Sequence, residues 1–199
     1  DPVDVYNLSS AGNIDVFISK LDQSGDFLWA QGFGGTGFES IKDINLDTNN
    51  NIYITGAFQN TVDFDPDLVD TYEITSVVGD DIFITKFDST GDFVWAKSIG
   101  NANSTTSTSL SLDQSNNMYL VGSFAGTVDF NPDTIDVYDL ISSGSIDGFI
   151  LKLDSSGDFT WAKQIEGADA EQIETISIDS NNNLYIIGSM EGLKTLILV

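Results

Sequence analysis

The sequence predicts an all-β fold of β-propeller blades. It comprises three 66-residue repeats of four antiparallel strands, forming a partial ring or part of a larger propeller. Three observations predict it. Marker residues recur at a fixed step of 66: Trp29, Trp95 and Trp161; Gly56, Gly122 and Gly188; Tyr6, Tyr72 and Tyr138; Tyr53, Tyr119 and Tyr185. Short runs rich in β-branched and aromatic residues alternate with Asp, Asn and Gly turns, with no sustained helical period. Several runs are apolar on both faces, as suits a sheet lying between other sheets.

The repeat is clearest in DVFISKLDQSGDFLWAQ from Asp15, DIFITKFDSTGDFVWAK from Asp81 and DGFILKLDSSGDFTWAK from Asp147. Ten of these 17 columns are identical and no gap is needed, so this is one unit copied. The chain divides into copies 1–66, 67–132 and 133–199 of a single propeller region, with the blades cut mid-unit.

In the middle copy the strands fall in order. Thr71 to Val78 carries a weak strand signal, and Asp81 to Phe87 and Asp92 to Ala96 follow as a pair. Ser107 to Leu112 alternates apolar and polar, and Met118 to Phe124 is apolar on both faces. The turns LDQSGDF, FDSTGDF and LDSSGDF join one pair, and LDTNNNIY, LDQSNNMY and IDSNNNLY the other. Each opens on an Asp that can cap the turn and places Gly or Asn where a left-handed residue is required. The segment from Gln59 to Asp80 makes the repeat longer than common propeller units.

Composition narrows the function. Asp and Glu number 31 against seven basic residues, all Lys, giving a net charge of −24. Such a chain repels nucleic-acid phosphates and anionic membranes and attracts cations. A hydrophobic fraction of 41% supplies an ordinary core, and no apolar run reaches membrane-spanning length. His and Cys are both absent, which removes the usual acid–base and thiol groups of catalysis and any disulfide. The first residue is Asp1 and no signal peptide precedes it, so the chain reads as a processed product or a piece of something longer.

The pattern D-x-F-x-x-K-x-D-x-x-G-D-F-x-W-A-K continues into NIYITGAFQNTVDFDP from Asn51 and NMYLVGSFAGTVDFNP from Asn117. It resembles the bacterial SBBP-type β-propeller repeat of secreted and cell-surface proteins, over essentially the whole chain. The resemblance implies a propeller on the outer surface of a bacterium and no particular reaction. The third copy departs from the pattern: NLYIIGSMEGLKTLILV has Met190 in place of Phe and loses the VDF-x-P element.

The candidate sites are repeated columns. The Trp column is expected to fill the space between blades rather than stack on sugars. Lys20, Lys86 and Lys152, each two residues before a turn Asp, are expected in structural ion pairs or at a solvated edge. Asp63, Asp65 and Asp67, recurring as Asp129, Asn131 and Asp133, could offer hard oxygen ligands to Ca²⁺, with a solvated acidic loop as the alternative. No cofactor is required. GFGGTGF, from Gly32, is expected to be an inter-blade loop, and Glu171 and Glu174 stand out as unrepeated.

The leading functional expectation is a non-catalytic, exported structural, adhesive or protein-interaction module, its partners being proteins or further copies of itself. The alternatives are a carbohydrate-binding propeller and part of a glycan-active enzyme whose active site lies in other blades. Three blades are too few for a ring, since propellers hold roughly four to eight. Either the native chain is longer or two copies combine.

Overall fold

The computed structural model describes residues 6–67, 69–77, 79–100, 105–133, 135–167, 169–191 and 197–198. Every regular element among them is a strand. In chain order these are β1 (Val16–Leu21), β2 (Phe27–Gly35), β3 (Glu39–Leu46), β4 (Ile52–Phe58), β5 (Thr61–Asp63) and β6 (Glu73–Thr75). Next come β7 (Asp81–Phe87), β8 (Phe93–Ile99), β9 (Thr105–Leu112), β10 (Met118–Phe124), β11 (Thr127–Asp129) and β12 (Asp139–Ile141). The last are β13 (Asp147–Leu153), β14 (Phe159–Glu166), β15 (Glu171–Ile178), β16 (Leu184–Met190) and β17 (Ile197–Leu198).

Two whole blades stand in the middle, with strand orders β3-β4-β7-β8 and β9-β10-β13-β14, the second extended by β17. Neighbouring strands are antiparallel throughout. A half blade lies at each end. The hairpin β1–β2 corresponds to the last two strands of a blade, and β15–β16 to the first two. The sheets stack face to face: β3 and β4 meet β9, and β9 and β10 meet β15.

The turns form as their residues dictate. Gly25, Gly91 and Gly157 close one hairpin type with φ of 85°, 94° and 85°, and Asn50, Asn116 and Asn182 close the other with φ near 60° (62°, 61° and 63°). Both are left-handed positions that Gly and Asn tolerate best. The opening Asp caps its own turn, as the sequence predicts: Asp22 Oδ1 accepts from the N–H groups of Ser24 and Asp26 at 2.8 and 2.9 Å. Asp154 does the same for Ser156 and Asp158.

The long segment after β4 is more than a linker. It folds into the hairpin β5–β6, which crosses to the preceding half blade and pairs with β2 through Gly34↔Asp63 and Gly35↔Val62. In the same loop Tyr72 packs on Phe93 of its own blade, with ring centroids 5.0 Å apart. The insertion therefore fastens one blade to the next. The divergent end of the third copy takes the equivalent place. β17 pairs with β14 through Glu166↔Ile197, where repeat spacing would bring residue 195, so the register has moved by two. The rest of segment 193–199 lies outside the described residues.

Candidate interaction surface

The Trp column lies between blades, as expected. The Trp29 ring lies 3.1 Å from where a Cβ on Gly91 would stand, and the Trp95 ring 3.2 Å from the same point on Gly157. Two of the three Trp also meet a Tyr of their own sheet edge-on: Trp95 with Tyr53 at 6.3 Å and Trp161 with Tyr119 at 6.0 Å.

The Lys column is structural, but its partner is the Asp of the adjacent turn rather than that of its own. Lys86 Nζ sits 4.8 Å over the Tyr53 ring and Lys152 Nζ 4.9 Å over Tyr119, with Lys152 also 3.9 Å from Asp113 Oδ2. Asp113 accepts from the Ser115 and Asn117 N–H groups, from Asn117 Nδ2 and from Tyr119 Oη. Burial opposes ionisation of Asp113, yet the Asn117 and Ser115 hydrogen bonds and the Lys152 charge outweigh it and hold the carboxyl below its usual range. Asp47 is held down in the same way by Asn51, Asn49 and Lys86. Asp179, Asn183 and Tyr185 repeat the arrangement in β15–β16. Lys20, by contrast, donates to the Ser89 carbonyl at 3.0 Å.

Sequence reasoning missed an acidic column at the blade junctions, buried at Asp81 and Asp147 and half-buried at Asp15. Asp15, Asp81 and Asp147 each accept from the N–H four residues earlier, of Ala11, Val77 and Ser143. The signal was present in GFGGTGF. A Cβ on Gly34 would stand 2.4 Å from Asp15 Cγ, and one on Gly100 2.0 Å from Asp81 Oδ1, so the glycines make room for carboxyls. Phe33 to Gly35 accordingly belong to strand β2, correcting the expectation of a loop. Asp15 lies near Glu39 at the first junction, and among the described residues Asp15 Oδ1 and Glu39 Oε1 are both buried without a hydrogen-bond partner. Burial pushes Glu39 up to about 7; the Gly35 N–H opposes this and the Asp15 charge adds to it. Glu171 is the 132-residue counterpart of Glu39 and is likewise buried, so it is not singular.

The acidic loops place their carboxylates in sequence rather than in a ring. Asp63 Oδ1 accepts from the Asp65 and Tyr72 N–H groups, Asp65 from Asp67, and Asp67 from Val69. Asp129 accepts from Asn131 and Tyr138, and Asn131 from Asp133. Among the described residues no three acidic side chains converge as metal ligands would. The acidic loop lines a cleft of about 400 Å³ with Asp15, Phe17 and Gly34.

Both ends of the stack expose apolar residues whose counterparts in the middle repeats are buried. Phe17 is 66% exposed, while its counterparts Phe83 and Phe149 are fully buried. Tyr185 is 61% exposed, against 0% for Tyr53 and 4% for Tyr119. Leu21, Ile44 and Leu46 at one end and Ile187 and Met190 at the other are also exposed. Among the described residues no helix is long and apolar enough to cross a membrane.

No family model matches the chain. A WD repeat-containing protein of Acanthamoeba polyphaga mimivirus is 26% identical over 192 residues. The match covers 83% of this chain and 13% of that protein, so the chain spans a small part of the relative's length. WD repeats are blades of four-stranded sheet. The likeness is therefore to a repeat propeller, in keeping with the sheets described above, and it does not single out the bacterial repeat type.

Proposed function

We propose that this chain is a non-catalytic propeller module that binds protein partners through the ends of its sheet stack. The observation that carries the reading is the exposure of Phe17 and Tyr185 at positions where the same residue is buried in the neighbouring repeats. Large contiguous apolar surface is uncommon on a soluble protein and marks contact sites. Flat sheet edges favour another strand as occupant. The relative's WD-repeat description supports the same class of role. An exported, cell-surface or adhesive setting rests on the repeat resemblance alone.

A photo-crosslinking residue at Ile187 tests the reading. It should yield a discrete protein adduct, while the same group at Ile135, exposed on a loop, yields none. Equal labelling at both positions, or tight binding of glycans in place of protein, would overturn it.

A further inference from the structure

We infer that the acidic cleft at the first blade junction receives a lysine side chain of a partner protein. The inference rests on the protein-binding reading above and names the chemistry the partner must bring. The cleft, of about 350 Å³, opens where the long insertion of one blade meets the half blade before it. Asp65, Asp67 and Asp70 of the insertion, Asp92 of the β7–β8 turn and Gln31 of β2 line it, and no cation is among the lining residues. Asp65 and Asp67 each use Oδ1 on a backbone N–H, and Asp92 uses Oδ2 on the Thr90 hydroxyl. Each keeps a second oxygen for an added donor. Gln31 Oε1 is itself buried without a hydrogen-bond partner.

Acidic residues alone name no ligand; the repeat supplies one. One period further on, Gln31, Asp65, Asp67, Asp70 and Asp92 become Lys97, Asn131, Asp133, Asp136 and Asp158. There Lys97 Nζ lies 3.7 Å from Asp158 Oδ1 across the blade junction, with the Lys side chain three-quarters buried. An ammonium thus occupies in the second junction the place that the first leaves to a shorter, neutral Gln. The first junction is also more negative by two charges, because it has Asp65 for Asn131 and Gln31 for Lys97. The second junction has a whole blade on each side, and its occupant is still the Lys of the blade next to it. Neighbouring blades therefore bring no further cation to this position. The first junction takes its ammonium from outside the stack.

The cleft suits the stem of a lysine as well as its head. Pro66 and Phe93 line it too and offer apolar surface to the methylene chain, from which a bare ion gains nothing. The carboxylates are spread along the cleft, and among the described residues no three converge as metal ligands would. Separated acceptors match an ammonium, whose three donors point apart. The net charge of −24 draws any basic segment toward the molecule without choosing a face. The place of the absent Lys makes that choice.

Fluorescence anisotropy of a labelled Gly-Lys-Gly-Lys-Gly peptide with the 199-residue chain at low salt tests the site. Gln31→Lys supplies the side chain that the next repeat carries and should weaken binding by roughly tenfold. Ser40→Lys adds the same charge at the opposite end of the strands from the Asp92 turn and should change binding by less than about twofold. Lys97→Gln, which empties the equivalent place, should bind more peptide at saturation than the parent. The peptide with both lysines acetylated should not bind, and spermidine should compete poorly. Equal losses in Gln31→Lys and Ser40→Lys would mean that the peptide senses net charge alone and would overturn the inference. Equal binding of the acetylated peptide, or spermidine competing as well as the lysine peptide, would overturn it too. In any of these cases an Ile187 photo-adduct to a protein leaves the protein-binding reading standing. If the peptide results hold and no adduct forms, the lysine site stands and the sheet ends lose their role.

Discussion

The strands β4, β10 and β16 carry nearly the same sequence and meet different fates. In IYITGAF and MYLVGSF almost every residue is buried on both faces. In LYIIGSM most are exposed. The strands β7, β13 and β1 show the same contrast, since DIFITKF and DGFILKL are buried where VFISKL is buried on one face only. Local sequence sets the strand; burial is set by whether a neighbouring blade lies on each face. A residue such as Phe17 keeps the chemistry of a core position without having a core around it.

The largest way to break this comparison is truncation of the Phe column. Phe83→Ala should cost about 3 to 5 kcal/mol, because a fully buried ring among Phe33, Phe58 and Phe64 leaves a cavity. Phe17→Ala should cost less than about 0.5 kcal/mol, as for an ordinary surface change, because the ring is 66% exposed. Urea unfolding of the two variants measures both. Equal losses would mean that Phe17 is packed in the free chain.

Much of this was legible in the sequence. The fixed period located the strands, the Asp-capped turns and the Trp between blades, because each depends on residues close in the chain or on a copied neighbour. What stayed hidden depends on contacts across blades. The pairing of β5 with β2 joins residues about thirty apart by backbone hydrogen bonds, which no side-chain pattern announces. The Lys86 partner lies across a strand pair, at Tyr53 and Asp47, not beside it in sequence. The raised pKa of Glu39 needs both burial and the nearby Asp15 charge, and composition reports neither. The open ends were foreseeable only as a problem of closure; which faces they expose required the stacking.

The junctions supply the next contrast. Asp15 meets Glu39 at one, and the next has Thr105 at the place of Glu39. Burial raises Glu39 to about 7 from its ordinary 4.5, so the folded state holds a proton that the unfolded chain releases. That group's contribution to stability is therefore greatest below pH 4.5 and is lost as pH rises toward 7. The loss should reach about 3 kcal/mol if the shift is fully expressed. Glu39→Gln should raise the midpoint of thermal unfolding at pH 8 and flatten its fall between pH 5 and 7. An unchanged pH profile would mean that Glu39 ionises freely. Asp47 and Asp113 act in the opposite sense. Their lowered values stabilise the fold above about pH 4, and that support is lost as pH falls further.

The Lys column gives a smaller effect. Lys152→Met removes a contact to both Asp113 and the Tyr119 ring and should cost about 0.5 to 1 kcal/mol. Lys20→Met loses one exposed bond to a carbonyl and should change the stability of the free chain by less than about 0.5 kcal/mol. NMR titration should also show the Asp113 carboxyl moving up in Lys152→Met. If the two substitutions cost the same, the stacked Tyr contributes nothing to holding the charge.

The smallest expected effect is that of a chelator on the acidic loops. Asp63 and Asp129 already accept two backbone N–H bonds each, so the loops are closed by their own carboxylates. A chelator should therefore leave the melting temperature unchanged, while Asp63→Ala, which frees the Asp65 and Tyr72 N–H groups, should lower stability by about 1 kcal/mol. A drop in melting temperature on chelation, restored by Ca²⁺, would show that these oxygens also hold a cation. The loop would then owe its shape to a metal as well as to its hydrogen bonds.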